Sequence, residues 1–118
     1  MNSYKDLDIY KKAFELAILV HRLSLELPKT EQFEIGSQIR RSSQSIRSNI
    51  AEGYGRRKYK AEFIRFLIFS QSSCDETSSH LEMLSQIYPL ILIDSPLISE
   101  YDILGRMLNS YIQYISQN

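Results

Sequence analysis

A chain of 118 residues has room for one domain and little more. Its apolar content of 43%, with only four Gly and three Pro, favours long helices over a turn-rich β fold. No apolar run approaches the roughly 18 residues that span a bilayer, a lone cysteine excludes an internal disulfide, and the net charge of zero conceals a strong segregation of sign along the chain.

Indexing residues at 100° each reveals four helices. In the first, Ile9, Ala13, Leu16, Val20, Leu23 and Leu27 fall within about 40° of one direction. Pro28 ends it, because proline disfavours helical geometry in the residue before it. Thr30 is positioned to cap a second helix, whose stripe is Ile35, Ile39, Ser43, Ile46 and Ile50. Ser42, Ser43, Ser45, Ser48 and Ala51 give this helix unusually small sides, so another backbone can approach it closely. Serines are poor helix formers, so tertiary contact must hold this segment more than propensity does. Gly53 and Gly55 supply a stop through the left-handed cap that glycine readily adopts.

A third helix is expected from about Tyr59 to Ile87, with Phe63, Phe66, Leu67, Ser70, Cys74, Thr77, Leu81 and Leu84 on its stripe. Tyr88-Pro89 closes it. Asp94-Ser95-Pro96 is a start signal, a capping side chain followed by proline in the first turn. The fourth helix carries Leu97, Tyr101, Leu104, Leu108, Tyr111 and Ile115, with Gly105 weakening it modestly.

All four stripes repeat at three and four residues, the pattern of near-aligned helix packing, and the connections are short. The expected fold is therefore all-α: one antiparallel up-down four-helix bundle over residues 1–118. Apolar residues also lie off the stripes. Tyr10, Phe14, Ala17, Ile18 and Leu25 form a second face on the first helix, and Ile64, Ile68, Phe69, Met83 and Ile87 do so on the third. Burying each contributes roughly 1.5–3 kcal/mol, so a homo-oligomer interface is expected to cover them. The N-terminus carries no basic segment followed by an apolar core, so a cytoplasmic location away from the membrane is expected.

Residues 38–65 hold eight cations (Arg40, Arg41, Arg47, Arg56, Arg57, Lys58, Lys60, Arg65) against two acids, Glu52 and Glu62. Residues 66–118 hold one cation, Arg106, against six acids. One part of the surface is basic and another acidic. The eight cations are candidate nucleic-acid contacts: closely spaced cations neutralise phosphates, and the interleaved Tyr54 and Tyr59 can stack on unpaired bases. No base-reading motif accompanies them. The alternative is a structural assembly in which the basic surface pairs with acidic helices of a neighbouring subunit or of a protein partner. Asn49, Glu52 and Glu76 are candidate structural polar residues, with Glu76 able to reach an arginine of the second helix.

Catalytic machinery is not expected. A di-metal bundle site needs paired Glu-x-x-His motifs, whereas Glu76 and His80 are four apart and His21 has no Glu three residues before it. Cys74 lies on a core stripe, where a thiol is inert. Gly53-Tyr54-Gly55-Arg56 lacks the Gly-Lys-Ser/Thr end of a phosphate loop. No metal, cofactor or catalytic residue is assigned.

Three segments together are similar to a known family: Gln38-Ile39-Arg40-Arg41, then Ser45-Ile46-Arg47-Ser48-Asn49-Ile50-Ala51-Glu52-Gly53-Tyr54-Gly55-Arg56, then Glu62-Phe63-Ile64-Arg65-Phe66-Leu67. With Tyr4-Lys5-Asp6-Leu7 and Ser73-x-x-Glu76, they resemble the four-helix-bundle proteins encoded in intervening sequences of bacterial 23S rRNA, also called the S23 ribosomal protein family. The resemblance covers most of residues 4–88, and the last helix matches only in character. It implies an up-down bundle assembling into a ring-like homo-oligomer, commonly a pentamer. Related accessory proteins of diversity-generating retroelements imply nucleic acid, rRNA or other, and a reverse transcriptase-like protein as possible partners. Lys58 departs from the pattern, since relatives often have a small hydroxyl residue near this position that caps the third helix.

Overall fold

Four long helices follow one another as the sequence periodicity requires, joined by two short helical turns. The computed structural model describes residues 3–118. A 3-10 turn at Tyr4–Asp6 leads into α1 (Asp8–Ser24), α2 (Lys29–Gln32), α3 (Ile35–Gly55), α4 (Lys60–Ile87), α5 (Pro89–Leu92) and α6 (Leu97–Gln117). The four expected helices are thus α1, α3, α4 and α6. The short α2 and α5 fill connections expected to be plain loops.

Contacts run α1 to α3, α3 to α4, α4 to α6 and α6 back to α1. Each neighbouring pair is antiparallel. Arg40 bonds Ser24 while Arg47 lies over Phe14. Ser70 donates to the Ile46 carbonyl and Thr77 meets Ser42. Phe63 touches Tyr111 while Cys74 lies against Tyr101. The result is an up-down bundle 45 × 22 × 20 Å in extent. No helix among the described residues is long and apolar enough to cross a membrane.

The predicted stripes form the core. Ile9, Ala13, Leu16, Val20, Leu23 and Leu27 are buried, as are Ile39, Ser43, Ile46 and Ile50. So are Phe63, Leu67, Ser70, Cys74, Thr77, Leu81 and Leu84 on α4, and Leu97, Tyr101, Leu104 and Leu108 on α6. Phe66 is half-buried at the edge of the stripe instead of within it, and Ile35, Tyr111 and Ile115 line the margins. Two residues expected on the outer face of α1 belong to the core: Tyr10 packs its ring 4.8 Å from Tyr4, and Ala17 is covered within the chain.

Two local expectations are corrected and a third is shifted by one residue. Thr30 caps nothing: the Ile35 N–H instead meets the Glu31 carboxylate at 3.3 Å, so the connection itself supplies an acceptor for α3. Gly53 and Gly55 do not adopt a left-handed cap, since no described glycine has positive φ and α3 ends on Arg56 in ordinary geometry. Gly53 serves close approach instead. A Cβ there would lie 2.9 Å from Phe66 Cβ and 3.3 Å from the Phe63 carbonyl. At the start of α6 the expected signal holds with a one-residue offset: Pro96 precedes the first helical residue, and Ser95 Oγ accepts from the Leu97 N–H at 3.2 Å.

Candidate functional site

The eight cations divide into three groups by what surrounds them. Arg40 is a tether. Its guanidinium donates to Ser24 Oγ and to the Gln32 carbonyl, each at 2.9 Å, and the side chain is half-buried. The Gln32 side chain in turn donates to the Leu25 and Leu27 carbonyls. Arg40 and Gln32 thus fasten the connection after α1 to α3, while the last carbonyls of α1 accept from the Leu25, Glu26 and Leu27 N–H groups.

Arg41 and Arg47 line a groove of about 540 Å³ between α1 and α3, with His21, Gln44 and Ser48. No carboxylate lines it. Arg47 hydrogen-bonds Gln44 and lies 5.8 Å from the Phe14 ring. Arg41 is exposed, and no hydrogen bond or ion pair from the described residues holds it. An adjoining groove of about 290 Å³ is walled by Phe14, Ile18, His21 and Arg47.

Arg56, Arg57, Lys58, Lys60 and Arg65 cluster at the α3–α4 connection. With α3 rising about 1.5 Å per residue, this cluster lies about 22 Å along the helix from Arg41. Arg56, Arg57 and Lys58 follow the C-terminus of α3, where the helix dipole favours cations. Two of the five are already paired. Arg56 reaches Glu52 at 3.3 Å and Glu62 at 3.5 Å, and Arg65 reaches Glu62 at 3.3 Å. Both arginines also lie on aromatic rings, Arg56 at 4.9 Å from Phe66 and Arg65 at 5.1 Å from Phe69. Arg57 stacks 4.0 Å over the Tyr54 ring and donates to the Tyr54 carbonyl. Lys58 and Lys60 have no carboxylate partner among the described residues, and Tyr59 between them is 64% exposed. Uncompensated charge therefore centres on Arg57, Lys58 and Lys60. The neutralising role of Glu52 and Glu62 is written in their spacing, four residues before Arg56 and three before Arg65.

Of the structural polar residues, Glu76 takes a different partner from the one expected. Asn49 Nδ2 donates to the Ser45 carbonyl and approaches Ser45 Oγ at 3.0 Å, and Ser45 Oγ meets Ser73 across the α3–α4 seam. Glu76 does not reach an arginine of α3. It pairs with His80 on its own helix at 3.3 Å.

The buried chemistry is quiet. Burial, with the nearby Asp75 and Asp102 charges, pushes the Cys74 thiol up to about 12, and the side chain is 1% exposed. The Tyr101 hydroxyl is the one buried side-chain polar atom among the described residues without a partner in good geometry. Burial raises its pKa, while the nearby Ser43 hydroxyl lowers it in part. The described residues hold no group of three or more His, Cys, Asp or Glu that could bind a metal ion.

The family model described as "23S rRNA-intervening sequence protein" matches residues 5–110. No curated protein is similar enough to the chain to count as a match. The match covers all of α1 to α5 and two-thirds of α6, and the chain belongs to that family.

Proposed function

We propose that this member of the 23S rRNA-intervening sequence protein family is a non-catalytic, cytoplasmic homo-oligomer that binds nucleic acid through the cationic surface of α3 and the α3–α4 connection. The observation that carries the reading is the run of Arg57, Lys58 and Lys60 on either side of the exposed Tyr59 in the chain, with Lys58 5.8 Å from the Tyr59 ring, left uncompensated while Glu52 and Glu62 are taken up by Arg56 and Arg65. Such a cluster neutralises phosphates, and an exposed tyrosine offers a platform to an unpaired base. Nothing in it reads base edges, so recognition rests on charge and shape. The name of the family points to rRNA as the nucleic acid to test first.

The homo-oligomer is supported by exposed apolar side chains that include Phe14 and Ile18 on α1, Leu25 just after it, and Ile68, Phe69, Met83 and Ile87 on α4, each 40% exposed or more. A ring of such bundles, five in number as the family resemblance implies, would repeat the cationic cluster around one rim.

The test is binding of a fluorescent single-stranded RNA across a salt series. Affinity is expected to fall steeply with salt. Replacing Arg57, Lys58 and Lys60 with Ala is expected to lower the log–log slope by about 0.7 for each phosphate no longer neutralised. Binding that is indifferent to salt, or unchanged in the triple variant, overturns the reading.

A further inference from the structure

The exposed apolar faces of α1 and α4 do not lie side by side. α1 and α4 occupy opposite corners of the bundle, each flanked by α3 and α6. They also differ in sign of charge. The α1 face carries Phe14, Ile18 and Leu25 beside Arg41 and Arg47 in a groove without carboxylates. The outward face of α4 carries Ile68 and Met83 with the exposed acids Asp75 and Glu76 between them. Ser72 and Ser79 fill the remaining positions of that stripe, leaving low ground between the larger side chains.

We infer that the α1/α3 face of one copy docks on the α4 face of the next, a heterologous contact that closes as a ring. Self-pairing of either face would set like charges against each other, arginines on arginines or acids on acids, which is destabilising. Pairing the two different faces brings cations to acids. A contact between different faces closes only by rotation into a ring.

The heights along the rod agree with this pairing. α1 and α4 run in the same direction, so a neighbour rotated about an axis parallel to the rod meets its partner at equal height. Phe14 is level with Arg47, and Ile46 beside it accepts from Ser70. Phe14 thus stands within a turn of Ile68. Ser24 bonds Arg40, two residues from Ser42, which meets Thr77. Leu25 thus stands within a turn of Met83. By the same contacts Arg47 and Arg41 stand below and above Asp75 and Glu76, which lie between them. Asp75 is exposed and no hydrogen bond or ion pair from the described residues holds it, while Glu76 keeps His80. Apolar meets apolar at matching levels, and the acids lie between the two arginines in height.

The contact deepens the oligomeric part of the proposed function, on which it rests, and divides the basic surface. Arg41 and Arg47 serve assembly, and the cluster at the α3–α4 connection stays open at one end of the ring.

Two surface variants of the full chain test it, Phe14→Asp and Ile68→Asp, with mass measured by light scattering alone and mixed. Each variant spoils one partner of every contact, so each alone is expected at the 13.8 kDa of a single chain. Mixed in equal amounts they retain one sound contact between them, so a 1:1 heterodimer of twice that mass is expected and nothing larger. The heterodimer also demonstrates that both variants are folded. If either variant alone remains oligomeric, or if two variants of native helicity stay monomeric when mixed, the docking scheme is overturned while the oligomer stands. A wild-type chain that is itself monomeric overturns the oligomer and the scheme together.

Discussion

The two sides of α4 are built from different materials. Toward α3 the seam is made of hydroxyls and glycine. Ser70 donates to the Ile46 carbonyl, Ser73 meets Ser45, Thr77 meets Ser42, and Gly53 lets α3 press against Phe63 and Phe66. Toward α6 the seam is made of rings and a thiol: Phe63 against Tyr111, and Cys74 against Tyr101 and Gly105. The first seam is set by backbone proximity and tolerates no added atom. The second is set by large side chains and has slack. A glycine therefore has opposite meanings on the two sides.

Gly53→Ala tests the tight side. The added Cβ meets Phe66 Cβ at 2.9 Å, and neither that atom nor the Phe63 carbonyl can swing away. The overpacking penalty outweighs the helix-propensity gain, giving an expected loss of about 1–2 kcal/mol. Urea unfolding at fixed subunit concentration measures it. A neutral or stabilising result would mean that α3 and α4 can separate freely, and the contrast between the seams would vanish.

Alkali tests the α6 side. The folded Cys74 thiol titrates at about 12 against 9.0 for an ordinary thiol, so the unfolded chain loses this proton first. The stability linked to it is whole below pH 9 and declines as pH rises toward 12. Tyr101, also raised by burial, adds to the decline. Unfolding midpoints should fall between pH 9 and 11, and Cys74→Ala should make the fall shallower. A fall of equal steepness in that variant would remove the thiol from the account.

Thr77→Val removes one hydroxyl from the tight side while keeping its shape. Thr77 Oγ1 lies 2.8 Å from both Ser42 Oγ and the Ser73 carbonyl. Ser42 retains the Ile39 carbonyl as acceptor, so no buried donor is orphaned. The expected loss is about 1 kcal/mol. A larger loss would mean that the hydroxyl chain acts as a unit.

Much of this architecture can be read from spacing. The core stripes of all four long helices follow from periodicity alone, because each is amphipathic and each buries one face. The tight seam is half legible: the small side chains of α3 announce close approach but do not name the partner. Gly53 reads as a helix stop because it stands near the end of α3, and only the position of Phe66 shows that it is a contact. Arg40 reads as one more surface cation, since its partners Ser24 and Gln32 are set by the path of the chain and by no local pattern. Tyr10 reads as outward because the 3-10 turn that brings Tyr4 over it has no periodic signature. Within the basic cluster, the ion pairs of Glu52 and Glu62 are local and legible, whereas the stacking of Arg57 on Tyr54 depends on how the connection turns.

The smallest expected effect has the opposite sign. Gly105 lies inside α6, where glycine costs about 0.8–1.0 kcal/mol relative to alanine. A Cβ there meets only Cys74 Sγ, at 3.9 Å, an ordinary contact. No positive φ demands a glycine at this position. Gly105→Ala should therefore stabilise the chain by about 0.5–1 kcal/mol, through reduced freedom of the unfolded chain and a methyl group placed in open space. Paired with Gly53→Ala in one series of urea curves, it asks whether the same single carbon moves stability in opposite directions on the two sides of α4. A loss at both positions would mean that α6 packs on α4 as closely as α3 does, and that the slack around Gly105 closes in solution.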